Sequence, residues 1–343
     1  MKERTLGQGM KVSAIGMGCM TLTEMNYGPV DESESEATLN RAIDLGINML
    51  DTGEVYGKDH SNETFIGRIV QRRREEVYLC TKFGLIYDFR RGPMVPDSRP
   101  EAIRRSLEGS LRRLRTDYID LYYQHRVDPN VPIEDVWGEL SLLVEEGKVR
   151  HLGLSEPGIS TLRKAHSIHP VTAVENEYSL FTREPEAELI PTLNQLGVGL
   201  VCFAPLGRGL LSGKVRSPDD FAPEDFRRRL PRYQGQNFYK NLELVDKIRQ
   251  IAAAKDATAA QLALAWVLSR GDNVVPIPGM ELRERLEENI GAADLELNAA
   301  ELAELEAVLP NGGIGDRYGD YKLQAAESAS QPADVAQAGG PTS

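Results

Sequence analysis

Residues 119–155 read IDLYYQHRVDPNVPIEDVWGELSLLVEEGKVRHLGLS, and they contain one complete unit of the fold. An apolar, strand-like run, Ile119–His125, is followed by an amphipathic helical stretch, Ile133–Glu146, and by a second apolar run, His151–Ser155. Gly147 stands directly after the helical stretch, which is typical of a helix C-terminus. The segment therefore predicts two parallel strands joined by a helix.

The same alternation continues on both sides of this unit. The other predicted strands are Ser13–Met20, Asn48–Thr52, Val77–Phe83, Thr172–Asn176, Gly199–Ala204 and Val274–Ile277. The other predicted helices are Ser35–Leu45, Asn62–Gln71, Pro100–Leu114, Ile159–Ser167, Glu186–Leu196, Asn241–Ala254, Ala259–Leu268 and Arg283–Ala292, with an extra C-terminal helix at Ala299–Leu309. Near-continuous Val, Ile and Leu strands predict a parallel sheet covered by helices, and closure into a (β/α)8 TIM barrel is the economical arrangement. A doubly wound α/β sheet is the alternative, but no Gly-x-Gly-x-x-Gly follows the first strand.

Three further segments complete the expected organisation. Residues 1–323 are expected to form the barrel, with a small β-hairpin around Gly7–Gly9 that caps the barrel floor. Pro205–Gln236 is a long irregular insert, and segments of this length inside a compact fold are usually functional. Residues 324–343 are rich in Ala, Ser, Gly, Pro and Gln, and we expect this tail to be disordered.

Composition excludes several classes of protein. The net charge of −12 argues against nucleic acid as a partner, because phosphate binding needs a basic face. No apolar run approaches the roughly 18 residues of a membrane span, and no secretory signal is visible at the N-terminus. Cys19, Cys80 and Cys202 lie far apart in apolar segments, as reduced core thiols do. We expect a cytoplasmic protein with a small-molecule substrate, no metal and no membrane partner, and its oligomeric state stays open.

Three ionisable residues lie where consecutive strands end, and barrel enzymes place their catalytic groups there. Asp51, Lys82 and His125 follow or end the second, third and fourth strands, and Tyr56 lies in the loop after Asp51. Together they suit carbonyl reduction. Tyr56 could protonate the developing alkoxide, and a nearby ammonium group would lower its pKa. Asp51 could hold Lys82 charged, and His125 could donate a hydrogen bond to the carbonyl oxygen.

The sequence around these four residues resembles the aldo-keto reductase family. LDTGEVYG at Leu50–Gly57 is similar to the family motif DTAxxYG. Two further catalytic blocks are TKFG at Thr81–Gly84 and DLYYQHRVDP at Asp120–Pro129. The blocks similar to cofactor-binding ones are GLSE at Gly153–Glu156, VENEYSL at Val174–Leu180, APLGRG at Ala204–Gly209 and VPIPGMELRERLEEN at Val275–Asn289. The YYQHRVDP run and PRYQGQNF at Pro231–Phe238 are similar to the bacterial and plant branch.

The resemblance implies reversible, NAD(P)H-dependent reduction of an aldehyde or ketone to the alcohol, with Tyr56 as the acid–base. It favours NADPH over NADH, because the family usually uses NADPH, and it places Phe203 against the nicotinamide ring. The other residues that it places against the cofactor are Ser155, Glu156 and Glu175 at the carboxamide, Ala204, Pro205, Leu206, Gly207, Arg208 and Lys214 at the pyrophosphate, and Gly279, Arg285, Glu288 and Asn289 towards the adenosine.

Three positions in these blocks differ from the usual family pattern. Relatives often have amides where this chain has Glu156 and Glu175, and a carboxylate cannot donate to the carboxamide oxygen. Many relatives have Lys or Arg where this chain has Glu281, and an acid there would repel the 2′-phosphate of NADPH. Arg285, with Arg283 near it, would then be the cation for that phosphate, which arginine can bind through two hydrogen bonds.

The substrate and some functional alternatives stay open. Candidate pocket residues follow strands one, three and four, although each could instead have a packing role: Met20, Tyr27, Phe83, Tyr87, Phe89 and Arg126. The physiological substrate is not indicated. One alternative is an enzyme that works mainly as an alcohol dehydrogenase. A second is a redox-sensing subunit like the potassium-channel β subunits, which resemble this family. A third, a non-redox barrel lyase or isomerase, would leave Tyr56 unexplained.

Overall fold

The structure, a computed structural model, describes residues 1–25, 27–86 and 95–319. Eight strands form its centre, and each is parallel to the next one along the chain. They are β1 (Met17–Gly18), β2 (Met49–Asp51), β3 (Tyr78–Phe83), β4 (Ile119–Gln124), β5 (Val149–Ser155), β6 (Val171–Glu177), β7 (Gly199–Phe203) and β8 (Val274–Pro276). A parallel bridge between Gly18 and Gly279 joins the region after β8 to β1. The sheet is therefore closed, and the predicted (β/α)8 barrel is confirmed.

Closure of the barrel depends on a close approach of two backbones at Gly18. Its N–H donates to the carbonyl oxygen of Pro278 at 3.1 Å. A Cβ atom on Gly18 would lie 2.6 Å from the carbonyl oxygen of Ile277, which is closer than any side chain tolerates. The absence of a side chain at this position is what allows the first and last strands to meet.

Ten α-helices accompany the strands in the described part of the chain. They are α1 (Glu32–Asp44), α2 (Ser61–Val70), α3 (Pro100–Leu114), α4 (Ile133–Glu145), α5 (Ile159–Ile168), α6 (Leu189–Leu196), α7 (Gly235–Ala253), α8 (Ala259–Leu268), α9 (Arg283–Ile290) and α10 (Ala299–Val308). The bounds of α3 and α8 are the predicted ones. Within the described ranges, no helix is long and apolar enough to cross a membrane.

The start of α7 differs from the prediction, which placed it at Asn241. Its first turns, from Gly235 onward, carry mostly polar residues, so they show no apolar period from which a helix could be predicted. Contacts with distant segments hold them instead. Phe238 is fully buried and packs edge-to-face on Phe221, and the Asn241 amide donates to the carbonyl oxygen of Ile314 at 2.9 Å.

The predicted first strand, Ser13–Met20, is divided in the structure. Lys11–Ser13 pairs antiparallel with Glu3–Thr5 as the expected hairpin, β1 is short, and Cys19–Leu22 is a 3-10 helix. The apolar run is continuous in sequence, so composition alone does not reveal the break. Hydrogen bonds reveal it, because the Ser13 hydroxyl donates to the carbonyl oxygen of Ile15 at 2.8 Å and its backbone N–H donates to Asn48 Oδ1.

The hairpin closes the amino end of the barrel. Leu6, Met10 and Val12 are buried in one cluster with inward-facing strand residues such as Met49 and Val201. A larger apolar cluster lies between the strands and the helices. The three cysteines are free thiols and all are buried. The floor of the barrel is thus filled with apolar side chains, which leaves the carboxyl end of the strands for polar groups.

Candidate active site

A cavity of about 510 Å³ opens at the carboxyl end of the barrel strands. Most of the residues that the sequence singles out contribute to its wall. They are Asp51, Tyr56, His125, Ser155, Glu175, Phe203, Ala204, Pro205, Leu206, Arg208, Lys214, Gly279, Arg285, Glu288 and Asn289, together with Met20, Tyr27 and Arg126. Folding thus brings residues from nearly the whole length of the chain to one cavity, at the end where barrel enzymes have their active sites.

Some of the expected residues lie behind this wall. They are Lys82, Glu156, Gly207 and Phe83. The expectation that Phe83 lines the pocket is corrected, because its buried ring packs on Tyr122 with the ring centroids 4.9 Å apart, between the barrel and the helices. Successive strand residues point to opposite faces, so Phe83 faces outward where Lys82 faces inward. Tyr87 and Phe89 lie outside the described residues.

Lys82 forms the centre of the candidate site. Its ammonium group forms an ion pair with Asp51 and donates to the carbonyl oxygen of Thr52 at 2.8 Å. The Nζ atom lies 5.1 Å from the centroid of the Tyr56 ring. Because Asp51 and Lys82 come from the adjacent strands β2 and β3, the sheet itself brings the two charges together. The ammonium group expected to act on the pKa of Tyr56, and the carboxylate expected to hold that group charged, therefore lie together close to the Tyr56 ring.

The loop after β2 holds Tyr56 over this ion pair. The Tyr56 N–H donates to the carbonyl oxygen of Gly53 at 3.0 Å, and the Tyr56 carbonyl oxygen accepts from the N–H of Asn62 at 3.3 Å. The Asn62 side chain accepts from the Thr52 hydroxyl at 2.6 Å and donates to the carbonyl oxygen of Cys19 at 2.8 Å. Asn62 thus ties the loop to α2 and to the segment after β1, which restricts where the phenol can lie.

Tyr56 is a protonated phenol at neutral pH. Burial raises its pKa to about 12, and Lys82 opposes this effect, whereas Glu175 and Asp51 add to it. The expected influence of Lys82 is present, but it does not outweigh burial. A phenol that keeps its proton until a neighbouring oxygen becomes negative is suited to donate that proton in a reduction.

His125 stands on the other side of Tyr56, with the two rings perpendicular and their centroids 5.7 Å apart. The backbone N–H of His125 donates to the carbonyl oxygen of Phe83 at 2.9 Å, which fixes the backbone where β4 ends. Burial holds the pKa of His125 well below its usual value, and the charges of Arg126 and Lys82 lower it further. The imidazole is therefore neutral at pH 7 and can orient a carbonyl oxygen through an N–H without acting as its acid.

Glu175 brings a second carboxylate to the same lysine. Its Oε2 atom lies 3.2 Å from Lys82 Nζ, and the side chain is nearly inaccessible to solvent. Burial raises the pKa of Glu175 to about 8, and the charge of Asp51 raises it too, against the opposing effect of Lys82. Among the residues that the structure describes, neither the Glu175 Oε2 atom nor the Asp51 Oδ2 atom has a hydrogen-bond partner.

Ser155 and Glu156 have different environments, although the resemblance assigns them one role. Ser155 lines the cavity, and its hydroxyl accepts from Arg126 at 2.9 Å. Glu156 forms an ion pair with Arg317 and lies 3.7 Å from Arg126. The left-handed backbone of Glu156, with a φ of 49°, turns its carboxylate towards these arginines.

The two expected phosphate ligands of the insert also differ. Arg208 is buried, and its guanidinium donates to Glu177 and to the Tyr318 hydroxyl, each at 2.9 Å. Lys214 is more exposed and pairs with Glu288 at 2.9 Å. Lys214 is thus the cation of this loop that stands nearest to α9, whereas the guanidinium of Arg208 is already paired.

The cations expected at the adenosine end, and Lys214 beside them, all have acidic neighbours. Arg283 pairs with Glu34 at 2.9 Å. Arg285 forms an ion pair with Glu281 one helical turn away, and Glu281 lines the cavity as well. Lys214 also lies 3.4 Å from Glu284. A bound 2′-phosphate would have to compete with these carboxylates for the same cations.

No pattern in the sequence singles out Arg317 or Tyr318, which follow α10. Tyr318 lines the cavity, and Arg317 donates to Glu177 at 3.2 Å. Burial alone would raise the pKa of Glu177, but Arg208, Arg317 and Arg232 together lower it to about 2. The sequence gives one indirect sign of this cluster. Glu177 belongs to the VENEYSL block and Arg232 to the PRYQGQNF block, but neither block indicates that the two side chains meet.

Comparison with known proteins identifies the family. The model of the Aldo/keto reductase family matches residues 14–310. An NADP(+) aldo-keto reductase, yakc, from Schizosaccharomyces pombe is 46% identical over 313 residues, which are 90% of this chain and 92% of the relative. A probable aldo-keto reductase from Glycine max is 44% identical over 315 residues, 91% of this chain and 90% of the relative.

Solved structures are similar over the same length. A glycerol dehydrogenase from Gluconobacter oxydans superimposes with a TM-score of 0.82 at 28% identity, over 90% of this chain and 94% of the other. The holo form of an aldo-keto reductase from Bacillus halodurans superimposes with a TM-score of 0.75 at 28% identity, over 94% of this chain and 99% of the other. The chain therefore belongs to the aldo/keto reductase family and is an NAD(P)-dependent oxidoreductase.

Proposed function

We propose that this protein reduces an aldehyde or ketone with NADPH and that Tyr56 supplies the proton to the carbonyl oxygen. The observation that carries the proposal is the arrangement at the base of the cavity, where Tyr56 and His125 face the open space above the buried pair of Lys82 and Asp51. A relative with 46% identity is named for NADP(+), which supports this choice of cofactor.

The residues present fit a nicotinamide dinucleotide. The cavity lies within the size range of small-molecule sites. Phe203, half-buried at the end of β7, offers an aromatic face, and Lys214, Arg285 and Asn289 line the other part of the wall. The hydroxyl of Thr21, also on the wall, is buried and has no hydrogen-bond partner among the described residues. When bound, the cofactor supplies hydride to the carbonyl carbon.

The side chains would share the remaining chemistry. His125, neutral and perpendicular to Tyr56, orients the carbonyl oxygen through an N–H. Tyr56 protonates that oxygen as negative charge develops on it, and Lys82 stabilises the resulting phenolate. Asp51 keeps Lys82 charged and fixed. In the reverse direction the phenolate would accept the proton, and the solved relative named as a glycerol dehydrogenase favours testing oxidation as well.

Replacement of Tyr56 by Phe tests the proposal. Tyr56→Phe should fold and bind NADPH as the wild type does, yet lose roughly two to four orders of magnitude in kcat, the usual scale of general acid catalysis. Initial rates with a panel of aldehydes and ketones, together with NADPH titration, measure both quantities. Tyr239→Phe is the control, because Tyr239 is exposed and does not line the cavity. More than a tenth of the wild-type kcat in Tyr56→Phe would refute the role of the tyrosine. Absence of turnover with every carbonyl would instead favour a redox-sensing role.

A further inference from the structure

Asp51, Lys82 and Glu175 form a buried group that has two acids and one base. Asp51, from β2, and Glu175, from β6, both face the single ammonium group of Lys82. Asp51 forms a hydrogen-bonded ion pair with it. The Glu175 Oε2 atom lies 3.2 Å from Lys82 Nζ, and within the described part of the chain it has no hydrogen bond of good geometry. All three side chains are nearly inaccessible to solvent. If both acids were ionised, the group of three would carry one uncompensated negative charge inside the protein, which is costly. Burial raises the pKa of Asp51 as well as that of Glu175, so the two acids compete for one proton. The hydrogen bond from Lys82 favours the ionised form of Asp51, which leaves the proton on Glu175.

Within residues 1–25, 27–86 and 95–319, Lys82 is the one cation that forms an ion pair with Glu175. Arg126, after β4, lowers the pKa of Glu175, but the carboxylate within ion-pair distance of its guanidinium is that of Glu156, at 3.7 Å. The remaining titratable groups around Glu175 keep their protons up to high pH because burial raises their pKa values: Cys80, Tyr123 and Tyr56. His125 is neutral, for the reason given above. The partners of Glu175 on the adjacent strands, Ser155 and Val201, carry no charge.

We propose that Glu175 is a neutral carboxylic acid in the cofactor-free protein and that it releases its proton when an oxidised nicotinamide cofactor binds, so that this residue distinguishes the oxidised from the reduced form. The inference rests on the proposed function, because the nicotinamide must enter the cavity that Glu175 lines together with Phe203. The oxidised ring carries a positive charge and the reduced ring does not. A cation beside a buried acid favours its ionised form.

The neutral state also explains how an acid can stand where relatives often have an amide that donates to the carboxamide oxygen of the cofactor. A carboxylate can only accept hydrogen bonds, but a protonated Glu175 can donate one, as the amide of a glutamine does. Glu175 can therefore replace glutamine towards the reduced cofactor. Once ionised, it becomes the counter-charge of the oxidised cofactor, which glutamine cannot be.

Calorimetric titration of the whole protein with NADP+ and with NADPH tests this directly. At pH 7, in two buffers with different enthalpies of ionisation, NADP+ binding should release most of one proton and NADPH binding should release none. Because Glu175 has a pKa of about 8 in the free protein, the Kd of NADP+ should also tighten about fivefold or more from pH 6 to pH 8, with the Kd of NADPH nearly constant. Both ligands carry the 2′-phosphate, so its titration cancels in the comparison.

Two variants locate the proton. Glu175→Gln has nearly the same shape but no proton to release, and it should lose both the proton release and the pH dependence. Glu63→Gln is the matched control: Glu63 is also fully buried with a raised pKa, but it pairs with Arg113 away from the cavity. It should behave as the wild type does.

The outcomes separate the inference from the proposed function. Equal proton release with NADP+ and NADPH, or release that persists in Glu175→Gln, would overturn the inference while the reductase assignment stands. The wild-type comparison of the two cofactors decides the matter even if Glu175→Gln fails to fold. If none of the four cofactors NADP+, NADPH, NAD+ and NADH binds, the proposed function is wrong and the inference is wrong with it.

Discussion

At the scale of single residues, we expect the charges around Arg285 and Lys214 to set the affinity for NADPH relative to NADH. Arg285 forms an ion pair with Glu281, and Lys214 forms ion pairs with Glu288 and Glu284. Each cation therefore already has a carboxylate partner. A 2′-phosphate carries a charge of roughly −1.5 to −2. It would gain less from these paired cations than from free ones, and Glu281 would oppose it directly.

Reversal of the charge at Glu281 should therefore change the affinity for one cofactor and not for the other. We expect Glu281→Lys to tighten NADPH binding about tenfold or more, because one charge reversal near a surface is worth on the order of 1 to 3 kcal/mol at an effective dielectric constant near 20. NADH binding should stay nearly unchanged, and added salt should reduce the gain for NADPH. Fluorescence titration of both cofactors measures these affinities.

Glu284→Lys supplies the control at the same helix. Glu284 stands in the first turn of α9, three residues after Glu281, but its side chain is 84% exposed and does not line the cavity. The same charge change at this position should have a smaller effect on NADPH. Similar changes for NADPH and NADH in Glu281→Lys would mean that the side chain points away from the phosphate, and the argument about cofactor choice would fail.

At the scale of elements, α2 and α3 pack closely because α2 carries a glycine at the contact. A Cβ on Gly67 would lie 2.2 Å from the carbonyl oxygen of Arg113 and 2.6 Å from the Cα of Leu114. Backbone atoms of α3 cannot move aside as a flexible side chain could. The helix that follows Tyr56 is thus held against the next helix at a distance that no other residue type permits.

A pair of glycine substitutions measures the importance of this contact. Gly67→Ala should destabilise the protein by about 1 to 3 kcal/mol, the usual cost of overpacking. Gly138 also lies in a helix, α4, but nothing lies within 4 Å of the position of its Cβ. Gly138→Ala should therefore stabilise by up to about 1 kcal/mol, through helix propensity alone. Urea unfolding of both variants measures the difference, and equal signs for the two would contradict the close packing of α2 on α3.

At the scale of the whole molecule, the buried acid Glu175 makes stability depend on pH. Its pKa in the folded protein is about 8, above the ordinary value of 4.5, so the folded state holds a proton that the unfolded chain has already released. The contribution of this proton to stability is complete at pH values below 4.5. It decreases as pH rises from there, until Glu175 ionises in the folded state near pH 8.

We therefore expect the free energy of unfolding of the wild type to fall, relative to Glu175→Gln, between pH 5 and pH 8. The slope should approach about 1.4 kcal/mol per pH unit, the value of one full proton. Urea unfolding at each pH measures the difference between the two proteins, and the subtraction removes the effect of titrating groups that do not interact with Glu175. A difference that is constant with pH, or that grows in favour of the wild type as pH rises, would mean that Glu175 is ionised in the folded state.

The sequence by itself determined the barrel and the candidates for the reacting groups. The alternation of strands and helices predicts eight parallel strands, because a strand that is buried on both faces is apolar along its length. The carboxyl ends of parallel strands meet at one edge of the sheet, whatever the order of the strands. This is why the strand ends alone could indicate Asp51, Lys82 and His125 as candidates for one site. This information is local, since each strand, helix and terminus depends on residues that are close in the chain.

Only the tertiary structure decided which partner each buried charge has. Arg317 and Glu156 are 161 positions apart in the chain, and no local pattern links them. Arg208 and Lys214 look equivalent in sequence, but closure of the barrel buries one beside Glu177 and leaves the other near α9. The same closure brings the carboxyl group of Glu175 to 3.2 Å from Lys82. The physical reason is that an ion pair and a pKa depend on distance and burial in space, and these are set by which strands become neighbours when the sheet closes.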